Sequence, residues 1–165
     1  VAAARGLLKA NFTVTPLFAF REAGEAAVGP RVAEFTVRVP GAAGYTITYR
    51  YNAPTGKYLR YSKHRAERDD LDGLQLRAEN VIIQLVPVRP IAGDSAGRLE
   101  VTLTGAGEAL VFTDGRLLRA RWEKPNRHAR TRFVDSAGEL VRLTPGRTHI
   151  LLMPSDTEIV GLPES

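Results

Sequence analysis

The 165-residue sequence contains no cysteine, one methionine, one tryptophan and three histidines. The lack of cysteine excludes disulfide frameworks, thiolate zinc sites and cysteine nucleophiles, and leaves the compartment open. His64, His128 and His149 stand far apart, and none falls in an HxH or HExxH spacing, so no metal site is expected. Each is read as a surface or packing histidine. Serines are few (Ser62, Ser95, Ser136, Ser155 and Ser165), and none lies in GxSxG or SxxK. No apolar run approaches the ~18 residues of a membrane-spanning helix. The chain opens at Val1 without a signal-like segment, and the expectation is that it is cut from a longer protein whose signal or anchor lies upstream. There is no internal repeat, no low-complexity tract and no sign of a cofactor.

What is present suits one globular domain, since domains most often run to about 100–150 residues. A chain of this length buries roughly two-thirds of its unfolded surface and needs no metal or disulfide to fold. Hydrophobic residues make up 44% and charged residues 25%, which is a globular balance.

Lysine is scarce: 19 of the 23 basic residues are arginine. Their distribution is uneven. Arg116, Arg119, Arg121, Lys124, Arg127, Arg130 and Arg132 fall within 17 residues that hold a single acid, Glu123, so this window carries +6 against +5 for the whole chain. The remainder is slightly acidic.

Residues Ala2–Asn11 read as a short Ala-rich helix ended by Pro16. Beyond it, strand signals follow one another. Phe35, Val37 and Val39 alternate with Thr36 and Arg38, and Tyr45, Ile47, Tyr49 and Tyr51 alternate with Thr46, Thr48 and Arg50. Ala53-Pro54-Thr55-Gly56 turns the chain into Lys57–Tyr61. Lys63–Gly73 is highly charged and reads as a loop or one exposed helical turn. Leu76–Val88 is a long, mostly apolar run (Val81, Ile82, Ile83, Leu85, Val86) whose β-branched residues suit a buried central strand, with Pro87 and Pro90 closing it. Asp114-Gly115 between apolar runs is a hairpin signal, and Ser136-Ala137-Gly138 and Pro145-Gly146 mark further turns. The expected fold is mainly β, with α+β as the variant. It is an antiparallel sandwich or open barrel of about 8–10 strands with one N-terminal helix. Residues 1–16 are expected as helix and linker, 17–155 as the domain and 156–165 as a tail with little structure.

The remaining motifs carry little chemistry. Asp69-Asp70-Leu71-Asp72-Gly73 has the acids of a calcium loop without its spacing or closing Glu, and reads as solvated loop charge. Gly105-Ala106-Gly107 lacks a third glycine and precedes a strand, so it reads as a strand-to-strand turn and not as a phosphate loop. Paired carboxylates for glycoside cleavage leave no fixed spacing, and nothing points to them. No residue is assigned as catalytic. Arg119, Arg121, Lys124, Arg127, Arg130 and Arg132 are the candidate anion-binding residues, against the plainer reading of an arginine-rich face paired with acids. With one interleaved Trp and no recognised motif, nucleic acid is the weaker use of that window.

A set of ordered landmarks resembles a family. They are Tyr49-Arg50-Tyr51, Tyr58-Leu59-Arg60, Asp69-Asp70, Ala78-Glu79-Asn80-Val81-Ile82-Ile83-Gln84, Gly105-Ala106-Gly107-Glu108-Ala109, Asp114-Gly115, Trp122-Glu123-Lys124, Thr131-Arg132-Phe133 with Asp135 and Gly138, and Leu143-Thr144-Pro145-Gly146-Arg147-Thr148. In this order, across roughly residues 17 to 155, they resemble the C-terminal domain of the YerB-like bacterial lipoproteins, a family of unknown function. Two positions depart from that pattern: Ala120, where Gly is usual two places before the Trp, and His149, where Trp is usual.

The resemblance implies an upstream domain, an N-terminal lipid anchor and a place at the outer face of the cell membrane. It supplies no catalytic residues. Asn80, Trp122 and Asp135 are landmarks of unknown role, and a buried Asn holding a turn and a core Trp explain two of them equally well. The expected function is a non-catalytic binding or structural module contacting an envelope protein or an anionic envelope polymer. The alternatives are half of an envelope enzyme whose site lies against the upstream domain, and nucleic-acid binding through residues 116–132.

Overall fold

The computed structural model describes residues 18–38, 41 and 45–163. The helix expected over Ala2–Asn11 lies outside the described residues. Among them there are fifteen strands and no helix. In chain order these are β1 (Ala19–Phe20), β2 (Glu34–Arg38), β3 (Thr46–Asn52), β4 (Lys57–Ser62), β5 (Arg65–Ala66), β6 (Arg77–Ala78), β7 (Asn80–Val86), β8 (Val88–Pro90), β9 (Leu99–Val101), β10 (Gly105–Thr113), β11 (Arg116–Lys124), β12 (Arg132–Val134), β13 (Arg142–Leu143), β14 (Thr148–Pro154) and β15 (Glu158–Val160).

Two sheets form a mainly antiparallel sandwich that does not close into a barrel. The first has the order β12-β11-β10-β7-β14, and the second has β15-β2-β3-β4-β5, with β6 also paired to β4. The alternation of β2 and β3 turns Phe35, Val37, Ile47 and Tyr49 inward, as the period of two requires. They meet Val81, Ile83, Leu110, Phe112, Leu117 and Leu151 of the first sheet. At the centre the ring of Phe35 stacks on Phe112, with centroids 3.5 Å apart and planes 12° apart. Each such buried side chain contributes about 1.5–3 kcal/mol of transfer free energy.

The first sheet is covered on its other face as well. Ile82, Val86, Ala109, Val111 and Trp122 pack there with Phe133, Val141 and Leu143, and Phe18 joins them. Strand β7 is therefore buried on both faces, which is why its sequence is a continuous apolar run and not an alternation.

Hairpins follow backbone conformation. Asp114 and Gly115 both have positive φ, at 52° and 68°, which is the type I′ pattern whose twist suits adjoining strands. Lys63 and His64, at 47° and 64°, make a second such turn between β4 and β5. The charged stretch Lys63–Gly73 thus begins as a hairpin and contains no helical turn.

Three expectations need correction. The Gly105-Ala106-Gly107 segment is strand, the first third of β10, paired with Lys124, Glu123 and Trp122. The stretch after Pro154 is not a bare tail: β15 pairs with β2, and Ile159 and Leu162 pack against the main core. Two pairings are parallel, β14 with β7 and β1 with β13. The fold also has more strands than expected, because eight of the fifteen are only two or three residues long and too short to show a period. Among the described residues no helix is long and apolar enough to cross a membrane.

Candidate functional site

Of the three landmark residues, Asn80 and Trp122 are buried and Asp135 lies in an exposed turn. Asn80 is fully buried at the start of β7. Its Nδ2 donates to the Thr144 carbonyl at 2.9 Å and to Thr148 Oγ1 at 3.1 Å. Its Oδ1 accepts from Thr113 Oγ1 at 2.7 Å and from the Thr144 amide at 2.9 Å. That is the full capacity of a carboxamide. The buried Arg21 extends the network, donating to Thr113 Oγ1 and the Arg142 carbonyl, both at 2.9 Å, and to Thr144 Oγ1. Trp122 Nε1 donates to the Leu85 carbonyl at 2.7 Å. Asp135 Oδ1 accepts from the amides of Ala137 and Glu139, at 2.9 and 3.0 Å, and so shapes the turn after β12. The two departures from the family pattern are also packing positions. Ala120 lies against the outer cluster, and the His149 ring sits beside Tyr49 with Nδ1 3.2 Å from the Tyr49 hydroxyl.

The basic window does not make one patch. Arg119, Arg121 and Arg132 share a sheet face with Glu108 and Glu123. Arg119 pairs with Glu108 at 3.4 Å, while Arg121 and Arg132 each lie 3.9 Å from Glu123. Three arginines and two glutamates leave that face at +1. Lys124 points to the opposite face and donates to the Ala129 carbonyl. Arg127 and Arg130 lie in the connection between β11 and β12, where Arg127 Nε donates to His128 Nε2 at 3.1 Å. Arg116 is held by the Gly29 carbonyl at 2.7 Å.

A different constellation lies outside the second sheet, and no spacing in the sequence marks it. Lys57 from β4, Arg77 from β6, Asp69 and Asp72 from the loop before β6, Glu79 beside β7, and Arg147 before β14 line an open cleft of about 440 Å³. Two pairings assemble it: β4 with β6 brings Arg77 to Lys57, and β7 with β14 brings Arg147 to Glu79. Glu79 anchors the cleft. Its Oε2 accepts from the Arg147 amide at 2.7 Å, and its Oε1 lies 3.3 Å from Lys57 Nζ. Burial raises the Glu79 pKa, but the Arg147 amide and the Lys57 ammonium more than offset this and hold it below the usual carboxylate range. Gly146, at φ 140°, lies against this side chain, and a Cβ there would come within 2.6 Å of it. Asp69 and Asp72 each use one oxygen to hold their own turn, accepting from the amides of Leu71 and Leu74 at 2.8 Å. The side chains of Arg77 and Arg147 make no hydrogen bond or ion pair with other described residues. Among the described residues no group of three His, Cys, Asp or Glu side chains could hold a metal ion.

This is a β-sandwich domain in which Asn80, Trp122 and Asp135 hold strands and turns, and whose open chemistry is a mixed-charge surface cleft. Residues 35–150 match the model of the C-terminal domain of DUF3048, a protein family of unknown function, and the chain belongs to that family. Its fold is similar to the crystal structure of the YerB protein from Bacillus subtilis, with a TM-score of 0.68 and 20% identity over 86% of this chain. The chain spans 46% of that protein's chain. At that identity the likeness is one of fold. No curated protein matches the sequence.

Proposed function

We propose that this domain is a non-catalytic binding module of a membrane-anchored bacterial envelope lipoprotein, and that its partner is an anionic envelope polymer. The observation that carries the reading is the cleft: the side chains of two exposed arginines, Arg77 and Arg147, stand beside Lys57 in an open, polar hollow without a hydrogen bond or ion pair to other described residues. Guanidinium forks in that state offer paired donors to carboxylate or phosphate. Glu79 in that cleft is poorly suited to act as a general acid. A general acid needs a raised carboxyl pKa, and the Glu79 carboxyl is held low.

The envelope location is tested in cells. Protease added to intact cells making the full-length protein removes it if it faces outward, and a protected protein contradicts the location. The binding role is tested by sedimenting the 165-residue domain with isolated envelopes. Salt-sensitive retention is expected, and retention by an oligonucleotide but not by envelopes would move the function to nucleic acid.

A further inference from the structure

We propose that the cleft lined by Lys57, Asp69, Asp72, Arg77, Glu79 and Arg147 is a subsite for a sugar unit bearing one carboxylate. This rests on the reading of the domain as a binder of anionic polymer and names the unit it holds.

Three features define the ligand. The first is charge. Three cations face three carboxylates, so the lining is neutral overall. A densely charged polyanion would meet the acids as well as the arginines, whereas a single carboxylate sits between the guanidiniums without that conflict. The second is the state of the acids. Glu79 is engaged on both oxygens, by the Arg147 amide and by Lys57. Asp69 and Asp72 spend Oδ1 on their own turns and keep Oδ2 without a hydrogen bond to other described residues. Free carboxylate oxygens are acceptors, and sugar hydroxyls are the matching donors. The third is size and shape. At about 440 Å³ the cleft lies in the range of small-molecule sites, roughly 300–1,000 Å³. Leu74 and Leu76 on its wall give a ring its apolar contact. The ligand is therefore small, hydroxylated and singly anionic.

The test is calorimetric titration of the 165-residue protein with the methyl glycoside of galacturonic acid, which carries one carboxylate, with its methyl ester, and with poly(glycerol phosphate). The free acid is expected to bind at least about tenfold more tightly than the ester, the effect of losing one charge-assisted contact. Arg77→Gln and Arg147→Gln should each weaken binding by about tenfold, while Arg119→Gln leaves it unchanged. Thermal melts check folding, and Arg77→Lys, which keeps the charge without the fork, should bind between wild type and Arg77→Gln. No binding of the uronate, equal binding of the ester, or stronger binding of the phosphate polymer each overturns the assignment. If the Arg77→Gln/Arg147→Gln double variant still sediments with envelopes as wild type does, the subsite is wrong and the module reading stands. If wild type itself fails to sediment, it is the module reading that falls.

Discussion

Gly107 lies directly beneath the indole of Trp122, its strand partner: a methyl group on Gly107 would come within 2.6 Å of Trp122 Nε1 and 3.1 Å of the Leu85 carbonyl that the indole bonds. The hydrogen bond from β11 to β7 passes over β10, and it can form because Gly107 puts no side chain in its way. Gly107→Ala should destabilise the domain by about 1–3 kcal/mol through overpacking. Trp122→Phe should cost a similar amount or more, because it leaves the Leu85 carbonyl without its donor. Urea unfolding of both variants and of the double variant checks this, and the double should cost less than the sum because the sites share one contact.

Asn80 ties β7 to β10 and to the approach of β14 through four hydrogen bonds. Asn80→Ala removes all four and leaves Thr113 and Thr144 only their bonds to Arg21 and to each other. A loss of about 3 kcal/mol is expected. Asn80 is buried and does not line the cleft, although its amide bonds the Arg147 carbonyl at 3.2 Å, so binding to envelopes should survive in the fraction that remains folded. A stable Asn80→Ala protein that no longer binds would show that Asn80 sets the position of Arg147 in the cleft as well as the stability of the fold.

His149 introduces a pH dependence. Burial lowers its pKa, and the charges of Arg60 and Arg147 lower it further, with Glu79 opposing. The folded state therefore binds fewer protons than the unfolded one between the lowered pKa and the ordinary value near 6.5. Stability is retained above that ordinary value and is lost as pH falls through the window below it. The contribution to the slope is at most about 1.4 kcal/mol per pH unit, and smaller in practice because the ring is partly exposed. Denaturation midpoints from pH 7.5 to 5 should fall more steeply for wild type than for His149→Gln.

The C-terminal segment is structural. Truncation after Asp156 deletes β15 and the packing of Ile159 and Leu162 on the core. Each lost apolar contact of this kind is worth about 1–2 kcal/mol, so a drop of about 2–4 kcal/mol is expected. A truncated domain with unchanged stability would show that β15 is only laid on the edge of its sheet.

Much of the core was legible in the sequence. Phe35 and Val37, Ile47 and Tyr49, and the Asp114-Gly115 hairpin all obey local rules, because alternation and positive φ are properties of the chain itself. The strand β7 was legible as a continuous run because both its faces are buried. What local rules cannot show is pairing at a distance. The parallel seating of β14 on β7 and the three-residue β15 have no local signature. Likewise nothing marks Gly107 as strand until Trp122 is placed over it.

The site follows the same division. The arginines of 116–132 stand out in the sequence because they are close together along it, yet the sheet register interleaves them with Glu108 and Glu123. Arg77 and Arg147 are 70 residues apart, and only the pairings of β6 with β4 and β14 with β7 bring them to one cleft. Charge density along the chain was a poor guide to charge density in space.

The most direct measurement of the central claim is a mass balance on isolated envelopes incubated with the purified 165-residue domain. The account predicts that the domain sediments with the envelopes, saturates, and is released by salt, while the supernatant gains no new reducing ends, amino groups or phosphate over the blank. Release of soluble fragments in proportion to the domain added would contradict it and make this domain an enzyme.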